Sequence, residues 1–174
     1  MTQTIRPHSP SAAGLTPLWL LVLLAAVTIG AAWYYELVLG FVPCKLCLEE
    51  RIPYYVGIPV AVLALLAPAV TGDARLARLL ALAAGLIFLA GAALGAYHAG
   101  VEWRFWPGPA DCSGRLPGAG GNASDLLSQM KATRIVACDE AHWRLLGLSF
   151  AGWNAAISLL LAGLGLSAFL RLKR

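Results

Sequence analysis

The chain has 174 residues, of which 59% are hydrophobic and only 13% are charged, and its formal net charge is +4. An ordinary soluble domain has about 45–50% apolar and about 25% charged residues, so this composition indicates a membrane protein. Basic residues form no stripe and no run interleaved with aromatic residues, which argues against a nucleic-acid partner.

Four segments of the chain are apolar enough to span a membrane, which takes roughly 20 residues each. We predict spans at about 15–35, 52–72, 79–101 and 145–170, after a polar N-terminal tail. A cleaved signal peptide is the alternative for the first segment, but its apolar run exceeds the roughly 7–15 residues of a signal h-region. The expected fold is an all-α membrane protein, a four-transmembrane-helix bundle that forms a single domain over residues 1–174.

Small and polar residues inside these spans predict helix contacts. Gly91 and Gly95 form a small-xxx-small pattern in the third span, which lets a neighbouring helix approach closely. Asn154 and Ser158 in the fourth span predict hydrogen bonds between helices rather than chemistry.

Two polar loops, 36–51 and 102–144, lie on one side of the predicted membrane. The second is rich in glycine and proline at first. Its later part, 122–136, predicts a short amphipathic helix with Ser124 as the N-cap. The apolar stripe of that helix could lie on the membrane surface or pack only against its own loop.

Basic residues in short segments near the spans predict the orientation. Arg75 and Arg78 follow the tight turn after the second span, and Arg171, Lys173 and Arg174 follow the fourth. This pattern places both termini in the cytoplasm and both polar loops on the outer side. Tryptophan and tyrosine residues cluster near the same outer interface.

The four cysteines, Cys44, Cys47, Cys112 and Cys138, all fall in the predicted outer loops, and they allow three disulfide connectivities. A zinc site is disfavoured because there is only one Cys-x-x-Cys knuckle. Two inert structural disulfides are an alternative, since a bridge would stabilise the long loop. A Cys44–Cys47 bridge closes too small a loop to add much stability, so redox exchange explains that pair better.

Charged residues beside the Cys-x-x-Cys pair predict its chemistry. Cys47 is expected near the start of the second helix, whose free N–H groups favour a thiolate. Arg51 follows four residues later, on the predicted same face, where it would favour a thiolate and bind a ligand carbonyl. His98 ends the third span at the same depth. The alternatives are a snorkelling Arg51 and an interfacial His98.

These motifs resemble the disulfide bond formation protein B (DsbB) family, and its alphaproteobacterial branch most closely. The resemblance rests on the run from Pro43 to Arg51, on Tyr97-His98, on the second cysteine pair, and on Leu146-Gly147-Leu148-Ser149, which opens the fourth span. It covers nearly the whole chain in order and spacing.

The resemblance implies a protein-disulfide:quinone oxidoreductase that reoxidises the periplasmic thiol oxidase DsbA, the route that keeps the bacterial periplasm oxidising. It implies that reduced DsbA attacks Cys112, that the released Cys138 attacks Cys44, and that Cys47 faces the quinone with Arg51 and His98 nearby. Ubiquinone is the implied cofactor, with menaquinone as the alternative.

The implied location is the bacterial inner membrane, where the chain would contact lipid and quinone, with the cysteines in the periplasm. Two other functions stay open at this stage. One is a non-catalytic membrane protein with structural disulfides, and the other is a paralogue that serves a different thioredoxin-fold partner.

Overall fold

The computed structural model describes residues 12–109, 134–135, 138–141 and 143–172. Its long helices are α1 (Ala12–Leu37), α3 (Ile52–Thr71), α4 (Ala74–Glu102) and α5 (Phe150–Arg171), and α2 (Lys45–Glu49) is short. Short strands are β1 (Phe41–Val42), β2 (Arg134–Ile135), β3 (Arg144–Leu145) and β4 (Leu148–Ser149).

Within the described residues, four helical segments are long and apolar enough to cross a membrane: Gly14–Leu37, Lys45–Thr71, Ala74–Glu102 and Phe150–Arg171. The predicted all-α membrane fold with four transmembrane helices is therefore confirmed. The last helix begins at Phe150, five residues after the predicted start of the fourth span. The residues before it form the β3–β4 hairpin instead.

The hairpin turn explains that shorter helix. Leu146 and Gly147 both have positive φ angles, of 52° and 86°, as a two-residue turn between antiparallel strands requires. A helix cannot continue through two left-handed residues, so the Leu-Gly-Leu-Ser motif forms a turn that precedes the helix rather than its first turn.

The second loop differs in part from the prediction. Residues 122–133 of the predicted amphipathic helix lie outside the described residues. Arg134 and Ile135, at its predicted end, form β2, which pairs in parallel with β1. A helix over the full 122–136 range is therefore wrong at its C-terminal end, because the backbone there extends to pair with the first loop.

The chain divides into two compact units. The first unit contains the described residues up to Val27, Pro53–Ala90, and those from Ser158 onward. Its core is mostly alanine and leucine, with Leu18, Ala64, Ala81 and Ala168 fully or almost fully buried.

Small residues let the helices of the first unit approach closely. A Cβ placed on Gly165 would lie 2.7 Å from the backbone of Gly85, so only glycine fits at that crossing. A buried hydrogen bond of 3.2 Å joins Tyr54 and Ser158. The predicted interhelical role of Ser158 is thus confirmed.

The second unit contains residues 28–52 and the described part of 91–157. Gly95 of α4 packs against Ala155 of α5, where an added Cβ would lie 2.9 Å from the Ala155 backbone nitrogen. The predicted close approach at this glycine is confirmed. A second buried cluster, formed by Cys44, Leu46, Val101 and Cys138, belongs to this unit and contains the candidate site.

Candidate redox site

Two loops that are far apart in sequence meet at the parallel pair of β1 and β2. Phe41 pairs with Arg134, and Val42 pairs with Ile135. Cys44 follows β1 by two residues and Cys138 follows β2 by three, and the carboxyl ends of parallel strands lie at the same edge. This register brings the two cysteines together.

The two cysteines are buried and close. Cys44 is 0% exposed and Cys138 is 1% exposed. Each offers its sulfur within 4.8 Å of the other and of a ring nitrogen of His98. Cys138 is disulfide-bonded, whereas Cys44 and Cys47 are free thiols. A free thiol therefore lies beside a disulfide, which is the arrangement that thiol–disulfide exchange requires.

Cys44 is the N-cap of α2. Its backbone is extended, with φ −72° and ψ 172°, and its sulfur accepts a hydrogen bond from the Cys47 backbone N–H at 3.2 Å. Its sulfur also lies 2.7 Å from the Cys47 sulfur. We predicted that the free N–H groups at the helix start would favour a thiolate at Cys47. The Cys47 N–H instead donates a hydrogen bond to the Cys44 sulfur, because Cys44 is the N-cap residue.

These contacts lower the pKa of Cys44 from 9.0 to about 5. The hydrogen bond with the Cys47 side chain is the largest cause, and contacts with His98 and the Cys47 backbone add to it, while burial opposes the shift. A thiol of low pKa is the better leaving group in disulfide exchange, so Cys44 is suited to being released from a disulfide as a thiolate near neutral pH.

His98 connects the cysteine to a buried carboxylate. Its Nε2 lies 3.9 Å from the Cys44 sulfur, and its Nδ1 lies 2.7 Å from Glu50 Oε1. The other oxygen of Glu50 accepts a hydrogen bond of 2.9 Å from the Asn154 side-chain amide. Both His98 and Glu50 are nearly inaccessible, at 3% and 8% exposure.

Sequence reasoning missed the role of Glu50. We did not single out this residue from the sequence, whereas the structure buries Glu50 against His98 and Asn154. A carboxylate next to apolar residues at the start of a span was the available signal, since a buried charge needs partners. Asn154 bonds between helices as predicted, but its partner belongs to the site.

Arg51, whose side chain is only 12% exposed, pairs with Glu36 at the end of α1. Helix α2 ends at Glu49 and α3 begins at Ile52, so Arg51 lies in the break and not one turn after Cys47 on a continuous helix. Its contact with a ligand carbonyl stays a prediction. Cys112 lies outside the described residues.

Comparison with known proteins gives the family. The sequence profile described as "Disulfide bond formation protein DsbB" matches residues 16–168. This chain belongs to the DsbB family. A relative named "Disulfide bond formation protein B" from Marinobacter nauticus is 33% identical over 161 residues, covering 87% of this chain and 89% of the relative. The family resemblance seen in the motifs is thereby confirmed.

A second relative, "Uncharacterized protein RP370" from Rickettsia prowazekii, is 26% identical over 151 residues, covering 86% of this chain and 84% of the relative. No solved structure matches this chain. Family membership and the four apolar helices together make the chain a multi-pass inner-membrane protein of disulfide bond formation.

Proposed function

We propose that this protein is a quinone-dependent thiol oxidoreductase that reoxidises a DsbA-like periplasmic dithiol oxidase. The observation that carries this proposal is the position of the free Cys44 sulfur within 4.8 Å of the disulfide-bonded Cys138 sulfur. Neither a structural disulfide nor a metal knuckle needs a free thiol beside a disulfide, whereas electron transfer between two cysteine pairs does.

The proposed transfer moves two electrons from the partner to the Cys44–Cys47 pair. The thiolate of the reduced partner attacks Cys112 and breaks its bond to Cys138, which leaves as a thiolate. Cys138 then attacks Cys44, so a Cys44–Cys138 bond forms and the Cys44–Cys47 bond breaks. The second partner thiol resolves the mixed disulfide with Cys112 and leaves as the oxidised partner. Cys112 then attacks Cys138 and releases Cys44.

The state described here fits the end of that sequence, with Cys138 in a disulfide and both Cys44 and Cys47 reduced. The two electrons then rest on the Cys-x-x-Cys pair. The disulfide between Cys44 and Cys47 must re-form for another cycle, and their sulfurs are already 2.7 Å apart.

A bound quinone would supply the sink for these two electrons and two protons. The surroundings of Cys47 fit a lipid-soluble molecule: Cys47 is partly accessible, and Leu48 and Ile52 expose about half of their apolar side chains. Arg51 would donate a hydrogen bond to a carbonyl oxygen, and His98 would hold a proton beside the thiols. Ubiquinone is the proposed acceptor and menaquinone is the alternative.

We place the site on the periplasmic side, with both termini in the cytoplasm. This orientation follows from Arg75, Arg78 and the basic C-terminus under the positive-inside rule. It puts the cysteines in the compartment where disulfides persist.

The test uses purified protein in lipid nanodiscs, a reduced DsbA-like protein and a short-chain ubiquinone or menaquinone. The proposal expects quinone reduction, followed by ultraviolet absorbance, that is lost with Cys44→Ser and kept with Ser158→Ala. Oxidation of a different thioredoxin-fold protein at a higher rate would indicate another partner. Inert cysteines with every partner and both quinones would contradict the proposal.

A further inference from the structure

A chain of polar side chains leads away from Cys44 to helix α5. It runs from the Cys44 sulfur to His98, from His98 to Glu50, and from Glu50 to Asn154, with separations of 3.9, 2.7 and 2.9 Å. Each residue comes from a different part of the second unit. Asn154 is therefore linked to Cys44 through Glu50 and His98.

The chemistry of the carboxylate sets the direction of these hydrogen bonds. An ionised carboxylate only accepts, so the Asn154 amide donates to one oxygen and His98 Nδ1–H donates to the other. With its proton on Nδ1, His98 presents Nε2 to Cys44. Fixing one ring nitrogen of a histidine fixes the tautomer seen by its other neighbour.

The hydrogen bond from Asn154 helps to fix the Glu50 carboxylate because Glu50 is buried. Glu50 is 8% exposed, and a carboxylate removed from water needs hydrogen bonds to both oxygens to hold one position. Without the Asn154 donor, the carboxylate would be free to turn toward another donor or toward water. The histidine ring would then lose the partner that orients it.

We propose that Asn154 is a positioning residue which, through Glu50, holds His98 against Cys44 and so controls the loss of the Cys44 proton. In that step the Cys44 S–H bond breaks, an N–H bond forms at His98 Nε2, and the electron pair stays on sulfur. The inference deepens the proposed function, because it rests on Cys44 being a redox cysteine.

Other titratable groups face this assembly and must stay constant in a test. Cys47 contacts the Cys44 sulfur directly, and the Cys138 sulfur lies within 4.8 Å of both the Cys44 sulfur and a ring nitrogen of His98. Glu102 of α4 interacts electrostatically with His98 and with Cys44, and Arg144 of β3 interacts with Glu102. Arg51 is engaged with Glu36. None of these side chains is altered by a substitution at Asn154.

The experiment titrates the Cys44 thiolate in the full-length reduced protein without partner or quinone. Thiolate absorbance is measured against pH, and the same protein carrying Cys44→Ser supplies the reference to subtract. The variants are Asn154→Leu, which keeps the shape and removes the donor, Asn154→Ala as a second removal, and Asn154→Gln, which keeps an amide.

Ser158→Ala is the matched control, because Ser158 is one helical turn further along α5 and hydrogen bonds to Tyr54 instead of Glu50. The expected result is an upward shift of the Cys44 midpoint by about one pH unit in the Leu and Ala variants, a tenfold change in the ionisation constant. Asn154→Gln and Ser158→Ala should titrate as the wild type does.

Unchanged midpoints in both donor-less variants would overturn the inference. Equal shifts in Ser158→Ala would also overturn it, since they would reflect general loosening of α5. Quinone reduction is measured separately. If the Cys44 midpoint shifts in the Asn154 variants but the wild-type protein reduces no quinone, the positioning role is supported and the proposed function is contradicted. If the wild-type protein reduces quinone but the midpoint does not shift, the proposed function is supported and the positioning role is contradicted.

Discussion

The two compact units of this protein bury different kinds of side chain. In the first unit, alanine, leucine and glycine pack closely, and the buried polar pair of Tyr54 and Ser158 is neutral. In the second unit, buried groups include two cysteines, a histidine and a carboxylate. Buried ionisable groups cost free energy unless they are paired, so their concentration in one unit supports the candidate redox site there.

Helix α5 makes the comparison direct. Asn154 and Ser158 lie one turn apart and were indistinguishable in the sequence, where both were predicted to bond to other helices. Their partners differ: Asn154 donates to a carboxylate linked to Cys44, and Ser158 meets a tyrosine. Substitutions in the second unit should therefore change the chemistry, and those in the first should change stability.

The largest expected effect is on turnover in the second unit. Cys138→Ala should lower quinone reduction by the reduced partner by about a thousandfold or more, as loss of a reacting group typically does. Thermal unfolding in detergent serves as the control for folding, and Ser158→Ala is the variant that should keep turnover. Substantial residual turnover without Cys138 would mean that electrons reach Cys44 by another route.

The next effect concerns the pH dependence of Cys44. Because the pKa of Cys44 is lowered to about 5 and the hydrogen bond from Cys47 is the largest cause, Cys47→Ala should raise the midpoint by about two pH units or more. The S–H stretching band in the infrared would report the change. An unaltered midpoint would assign the low pKa to His98 instead.

The same shift has a consequence for stability in the reduced protein. The pKa of Cys44 in the folded protein lies below its ordinary value of 9.0, so ionisation of Cys44 adds to the free energy of unfolding. This contribution is fully present above about pH 9 and is lost as the pH falls through about 5. Cys44→Ala should flatten this part of the stability profile, measured by denaturation at several pH values.

A third effect belongs to the first unit. Gly165→Ala should lower the free energy of unfolding by about 1–3 kcal/mol, because the new methyl group would overlap the Gly85 backbone. Gly163→Ala is the matched control, since nothing lies within 4 Å of a Cβ at that position. Turnover per folded molecule should be unchanged in both variants. Equal stability of the two would show that the helices do not cross at Gly165.

The smallest effect is expected from Tyr54→Phe, which removes the hydrogen bond with Ser158 and keeps the ring contact with Phe88. One net hydrogen bond contributes about 1 kcal/mol, so the thermal midpoint should fall slightly while quinone reduction stays the same. A marked fall in turnover would mean that the first unit takes part in the chemistry.

Much of the fold was predictable because membrane spans leave a strong local signal. Runs of apolar residues located all four long helices, and Gly95 indicated a close helix contact. The hairpin at Leu146-Gly147 was missed, because its apolar residues read as a continuation of the span and only the backbone angles reveal the turn.

The site was predictable in its parts and not in its assembly. Cys44, Cys47 and His98 stood out by residue type and position, and the structure brings Cys44 and His98 together with Cys138. Glu50 did not stand out, because its burial depends on contacts with α4 and α5. The pairing of β1 with β2 joins residues more than 90 positions apart, and two-residue strands carry no periodic signal.

The most direct test of the central claim asks whether Cys44 and Cys138 can bond to each other. The variant Cys47→Ala/Cys112→Ala leaves only these two cysteines, and it would be oxidised in membranes with diamide and digested for mass spectrometry. The account predicts an intramolecular Cys44–Cys138 disulfide in most molecules. Two free thiols, or disulfides only between separate chains, would contradict the proximity on which the proposed electron transfer depends.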